Sequence, residues 1–186
     1  MTAEVAQAPK DIFTMLNNAD IKFPVIKDEK GNDVEVTKGR YIKLLESRDR
    51  RVREDAFHAL YSSYIKLKNT LASSLISNMK KNRFYTKVRK YNSCIERALD
   101  SDNISVDVYD NLIDTVNKNL HLLHRYLKLR KKVLKLDELH MYDIYVPIVE
   151  QPEREIPYEE AIEIVQNGLK VMGEEYCNYL KQGFDS

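Results

Sequence analysis

Histidine is the residue type here best suited to hold a metal or move a proton near neutral pH, and the chain has four: His58, His121, His124 and His140. His121 and His124 stand three positions apart in a stretch of helical spacing, so their rings share one face. Zinc on a helix is usually held by histidines four apart, or three apart with further ligands nearby. Glu138 and His140 could complete a set only if the chain folded back. The expectation is therefore no metal site, with His124 packed in a core and His121 in solvent. Cys94 and Cys177 are far apart, and neither has a second Cys or a His beside it. The N-terminal run MTAEVAQAPKD lacks a basic start followed by an apolar stretch. Two free thiols in a cytoplasmic protein are expected.

Arg125, Lys128, Arg130, Lys131, Lys132 and Lys135 form a cationic cluster with no acid among them. It could bind a phosphate or an acidic partner. The favoured reading is structural, because cations at the end of a helix complement its dipole. The whole chain is balanced, with 30 basic and 29 acidic residues and a net charge of +1. No nucleic-acid partner is expected from that balance. Twelve tyrosines and no tryptophan mark a bias. On helix stripes, as at Tyr64, Tyr109 and Tyr176, a tyrosine is expected to pack with its hydroxyl reaching the surface. Tyr142, Tyr145 and Tyr158 instead flank a non-helical stretch, where a phenol can hydrogen-bond a peptide backbone. No Ser-His-Asp elbow, glycine-rich phosphate loop or paired-carboxylate motif is present.

The elements that would position these residues are mostly helical. Apolar residues make up 43% of the 186 residues and charged ones 32%, which suits one globular region with a real core. No apolar run approaches the ~18 residues needed to cross a bilayer, so no membrane partner is expected. Pro9 is expected to open a short helix carrying Ile12, Phe13 and Leu16 and ended by Asn17 and Asn18. Ile21, Phe23, Val25, Val34 and Val36 alternate around Gly31-Asn32-Asp33, the pattern of a β-hairpin. Thr37 should cap a helix containing Tyr41, Leu44 and Leu45.

From Asp49 to Met79 no glycine or proline interrupts Val52, Ala56, Leu60, Tyr64, Leu67, Leu71, Leu75 and Met79, the spacing of one long helix. A bend and a shorter helix follow over Arg83–Leu99. Ser105 should cap the next helix, with the stripe Tyr109, Leu112, Val116, Leu120, Leu123 and Leu127. His140 to Ile156 should be extended, with Pro147 limiting it to a sheet edge. Pro157 should open a last helix reaching Leu180, weakened by Gly168 and Gly173. The fold class is mainly α: a multi-helix bundle with a small β-hairpin and a short extended segment.

Several blocks resemble oligoendopeptidase F, a family of zinc peptidases acting on short peptides. They include NNADIKFPVIKDEKG, GRYIKLLESRDRRVREDAFHALY, KNTLASSL, VRKYNS, VYDNLID and, above all, LHRYLKLRKKVLKLDELHMYDIYVP. The blocks follow the family's order over nearly the whole chain. The resemblance implies one helical region over 1–186, similar to the central part of that family, with short helices and a hairpin over 1–48 and long helices over 49–186. The family's zinc motif, HExxH, does not occur in this sequence. The resemblance thus implies a fragment that supplies scaffold and channel wall, holds no catalytic or metal residue, and needs no cofactor of its own. Zinc would belong to the full-length enzyme, and the isolated chain would be inactive. Tyr142 and Tyr145 are the candidate channel-lining residues. Expected partners are a short peptide in the full-length enzyme, its C-terminal half, or a second copy. The alternative is a stand-alone helical binding module derived from that family.

Overall fold

The computed structural model describes residues 2–149 and 156–185. It is mainly α-helical, with eight α-helices and one two-stranded hairpin among those residues. The chain divides into two units, Met1–Ile148 and Val149–Ser186.

The first unit opens with α1 (Thr2–Met15), which runs straight on into a turn of π-helix, Leu16–Asp20. Pro9 lies inside α1 rather than at its start, which overturns the sequence expectation. A proline there removes one intrahelical hydrogen bond. What holds α1 is its packing along a later helix, where Ser74 Oγ donates to the Pro9 carbonyl at 2.6 Å. Asn17 and Asn18 do not end the helix either. The Asn17 carbonyl accepts from Lys38 Nζ at 2.6 Å and its Oδ1 from the Tyr64 hydroxyl at 3.1 Å, so tertiary bonds carry the helix past them.

The hairpin forms as expected from β1 (Val25–Lys27) and β2 (Asp33–Glu35), antiparallel with Ile26 opposite Val34. Its turn is closed by Asp28 Oδ1, which accepts from the backbone N–H groups of Lys30 and Asn32, both at 2.8 Å. Gly31 takes a φ of +82°, open to glycine at no steric cost. Thr37 Oγ1 accepts from the Arg40 N–H at 3.2 Å and starts α2 (Lys38–Leu45), again as expected. Asp49 caps α3 (Arg50–Lys66) in the same way, accepting from the Arg51 N–H at 2.9 Å.

Val36, Leu45, Ala56, Ala59, Leu60 and Tyr142 meet in the core, with Phe23, Ile26, Tyr41, Leu44, Phe57 and Tyr64 packed around them. The stripe expected to continue as one helix to Met79 is broken at Leu67, where φ is −104° and ψ is 10°. A second helix, α4 (Lys68–Val88), then runs well beyond Met79. Neither glycine nor proline marks the break. Tertiary packing sets it: α3 lies on α2 and the hairpin, whereas α4 lies on α1. Only Ser74 and Thr86 of α4 are buried.

α5 (Cys94–Asp100) is capped reciprocally: Ser93 Oγ accepts from the Glu96 N–H, and Glu96 accepts from the Asn92 N–H. α6 (Val106–Val133) is the longest element. Ser105 stands at its N-cap as expected, but its hydroxyl makes no capping bond. The stretch expected as an extended edge strand is instead a 3₁₀ turn, Met141–Asp143, followed by bends to Val149. A carboxylate buried at Asp143 draws that backbone into a turn, where it forms no sheet ladder. The rest of the expected segment, 150–155, lies outside the described residues.

In the second unit α7 (Tyr158–Leu169) starts after Pro157 as expected, and Gly168 lies within it. A 3₁₀ turn, Lys170–Met172, leads to Gly173, whose φ of +94° ends the run before α8 (Glu174–Asp185). The single helix expected to Leu180 is therefore two, because no α-helix passes through a positive φ.

Leu45 is 1% exposed at the centre of the core. Leu45→Ala should cost about 2–5 kcal/mol. Urea unfolding followed by circular dichroism would show the loss as a lower midpoint with an unchanged native helix signal.

Candidate functional site

The most highly organised polar site is the turn at 140–147, gripped by four arginines from two helices and the loop before them. Asp143 is fully buried. Arg53 Nη2 donates to its Oδ1 at 2.8 Å, and Arg50 donates to both oxygens, Nε to Oδ1 at 3.3 Å and Nη2 to Oδ2 at 3.2 Å. The His140 N–H donates to Oδ2 at 3.0 Å, which closes the turn on itself. From α6, Arg130 Nη2 donates to the carbonyls of Asp143 at 2.9 Å and Val146 at 2.6 Å. Arg48 Nη1 reaches the Pro147 carbonyl at 2.8 Å. Arg50 also donates to the Glu138 carbonyl at 3.3 Å.

Burial alone would raise the Asp143 pKa. The hydrogen bonds from Arg50, Arg53 and the His140 N–H, with the Arg50 charge, outweigh it and hold the carboxyl below its ordinary value. Asp143 therefore stays ionised, enclosed and committed to its partners. It is a positioning residue, unable to take or give a proton to a substrate. Arg53 and Arg130 are buried too, and the Nε of each finds no acceptor.

Tyr142, one of the two candidate channel-lining residues, is only 5% exposed. Its ring stacks on His140 at 5.0 Å, meets the edge of Phe57 at 5.8 Å, and lies 5.2 Å from the Arg50 guanidinium. Burial pushes its phenol upward, although Arg50 opposes the shift. Tyr145, the other candidate, is 51% exposed. Its neighbours include Tyr41, whose phenol is pushed up to about 12 by burial, with Tyr61 and Tyr145 adding to the shift. The two tyrosines thus stand three apart with different surroundings, one beneath the surface and one on it.

His124, expected in the core, is exposed, as is His121. Tyr64 is half-buried with its hydroxyl bonded, as expected, whereas Tyr109 and Tyr176 are 39% and 44% exposed. Arg130, read in sequence as one more surface cation, is the buried anchor of the turn. One signal could have found it: it follows Leu127 by three and so continues the apolar stripe of α6. Cys94 and Cys177 are free thiols. Clefts of about 470 and 730 Å³ flank α4 and share none of the residues around Asp143. No helix among the described residues is long and apolar enough to cross a membrane.

The sequence model of peptidase family M3 matches residues 43–176, which include the whole arginine-gripped turn. The chain belongs to peptidase family M3. It is 49% identical to oligopeptidase PepF of Bacillus subtilis (strain 168) over 99% of its own length and 28% of that protein. It is 43% identical to group B oligopeptidase PepB of Streptococcus agalactiae serotype III (strain NEM316), over 98% of its own length and 30% of that protein. The crystal structure of oligoendopeptidase-F from Enterococcus faecium superimposes with a TM-score of 0.78 at 47% identity, over 97% of this chain and 34% of that one. The M3 chain thus spans about 30% of the curated relatives it matches.

A resident zinc does not fit the described residues of this M3 chain. They bring together no three His, Cys, Asp or Glu side chains able to hold a metal ion. His121 and His124 face solvent without a third donor among the described residues, and the Glu138 carboxylate, 3.6 Å from His140 Nε2, is itself exposed.

Asp143→Asn should destabilise the fold by about 3–5 kcal/mol, because Arg53 would keep a buried charge without its counterion. The pH dependence has a definite sign. A carboxyl whose folded pKa is depressed contributes stability that is fully present above its unfolded value, near 3.8, and is lost as pH falls through the folded value. Thermal unfolding between pH 6 and pH 3 should show a drop in Tm in the native protein that is smaller in Asp143→Asn.

Proposed function

We propose that residues 1–186 are scaffold and channel wall of a zinc-dependent oligopeptidase that cleaves short peptides, with its zinc site supplied by residues outside this stretch. The observation that carries this reading is the M3 match over residues 43–176, which includes the turn at 140–147, in a chain that spans about 30% of relatives named oligopeptidases. In this reading the arginines hold the turn, Tyr142 supports it from below, and Tyr145 offers its phenol to a peptide backbone. The turn sits among a helix end, a hairpin-backed core and α6, so its position is fixed by rigid elements. Exposed apolar side chains on α4, Leu75 and Met79, each 61% exposed, and the apolar stripe of α7 are surfaces for the rest of the enzyme. We place the protein in the cytosol, in keeping with its two free thiols.

Hydrolysis assisted by a metal needs an activated water with a base beside it, and residues 1–186 are assigned neither. The purified chain should leave a quenched fluorescent peptide intact. Produced together with the remaining part of Bacillus subtilis PepF, it should give chelator-sensitive cleavage. In that pair Tyr145→Ala should raise KM about two- to tenfold, the worth of one hydrogen bond, with kcat little changed. Cleavage by the chain alone, following it through several columns, would overturn the proposal. An inactive pair that nonetheless binds peptide would favour the binding-module reading.

A further inference from the structure

Residues 56–95 hold eight Lys or Arg and no Asp or Glu, in a chain with 30 basic and 29 acidic residues. Three of those cations, Lys80, Arg83 and Lys87, share one face of α4 at steps of three and four. All three are exposed, and none makes an ion pair among the described residues. Like charges at those steps repel and weaken a helix. The helix dipole compensates only in the last turn, which holds Lys87 alone of the three. Lys80 and Arg83 therefore stand where their own helix gives them no support.

The three cations are gathered on one cleft. The space of about 730 Å³ beside α4 is lined by Lys80, Arg83 and Lys87, by Ile76 one turn earlier, and by Asn92 and Ser93 of the loop before α5. A volume of that size suits a small organic molecule. The loop wall is fastened to α4: Arg97 donates from Nε to Thr86 Oγ1 at 3.1 Å and from Nη2 to Asn82 Oδ1 at 3.3 Å. The Tyr91 N–H donates to the Thr86 carbonyl at 3.0 Å. The acids next in sequence are already engaged, Glu96 by the Asn92 N–H at 2.7 Å and Asp100 by the Tyr91 hydroxyl at 2.6 Å. Ser93 Oγ accepts from the Glu96 N–H, which leaves its own proton to donate.

We propose that this cleft binds the phosphate monoester of a small organic molecule, with Lys80, Arg83 and Lys87 on the phosphate and Ile76 beside the organic part. Charge and donor count select the ligand. A phosphate monoester carries about −1.5 to −2 near pH 7 and has three acceptor oxygens, enough to engage three cations. A carboxylate brings one charge and two oxygens. Arg83 supplies a planar fork and the lysines point charges, a division suited to a tetrahedral anion. Ile76 is 50% exposed and offers the only aliphatic side chain this site requires. A fixed wall lowers the ordering cost of binding. The site stands apart from the peptidase reading, since it needs neither zinc nor a peptide.

The test is calorimetric titration of the 186-residue protein with phenyl phosphate at low salt, where screening is weak. One site per chain is expected. Arg83→Ala should weaken binding about tenfold, the worth of a charge-assisted hydrogen bond. The same variant without ligand should melt no lower than the native protein, because it removes two like-charge pairs. Lys128→Ala, an equal loss of charge on α6, should leave affinity unchanged. Ile76→Ser should weaken phenyl phosphate and leave inorganic phosphate as it was. Affinity should also fall severalfold from about pH 7 to pH 5, as the ester takes up its second proton near pH 6. Absence of saturable binding would overturn the proposal, as would equal weakening by Lys128→Ala, the mark of diffuse attraction. Benzoate binding as tightly as phenyl phosphate would overturn the choice of phosphate.

Discussion

The first unit is organised around one electrostatic constraint: a carboxylate fully removed from water must remain paired. An ion of that size costs several kcal/mol to bury after relaxation, so Asp143 is tolerable only while Arg50 and Arg53 remain in place. The two arginines come from the first turn of α3. Their positions depend on the Asp49 cap, which starts the helix, and on Val52 and Ala56, which bury the adjoining face. Arg130 approaches from the far end of α6 and binds main-chain carbonyls, so it fixes the backbone of the turn rather than its charge. Segments nearly a hundred residues apart in the chain are thereby tied at one point. The tie has a direction that hydrophobic packing lacks, because a guanidinium and a carboxylate fit in few geometries.

What could be read from the sequence follows from what is local. The Thr37 cap, the Gly31 turn and the Val52–Ala56–Leu60 stripe each depend on residues within one or two turns, and each appears in the structure as expected. The break at Leu67 and the run of α1 through Pro9 depend on which helix each lies against, which spacing does not encode. The site divides along the same line. Tyr142 and Tyr145 could be singled out because aromatics in a proline-bounded stretch stand out. The arginines could not, since Arg48, Arg50 and Arg53 look like ordinary surface charge in a helix start rich in basic residues. Their partner lies some ninety positions away.

His124 shows the opposite error. Its place on a helix with an apolar stripe suggested burial, yet its side chain is exposed. A helix stripe reports that something is to be covered and is silent about whether the cover is in the same polypeptide. Family membership supplies context for that exposure, since relatives such as PepF are more than three times as long.

The break at Leu67 has a consequence for how the unit breathes. Helices on its two sides rest on different supports, and the buried apolar side chains lie almost wholly on the α3 side. The packed pair α1 and α4 can therefore open as a cooperative block of its own, while α2, α3, the hairpin and the turn at 140–147 stay closed. Amide protons of α4 would exchange through that cheaper partial opening, and those of α3 only through global unfolding. One unremarkable leucine thus marks the seam between two levels of kinetic protection.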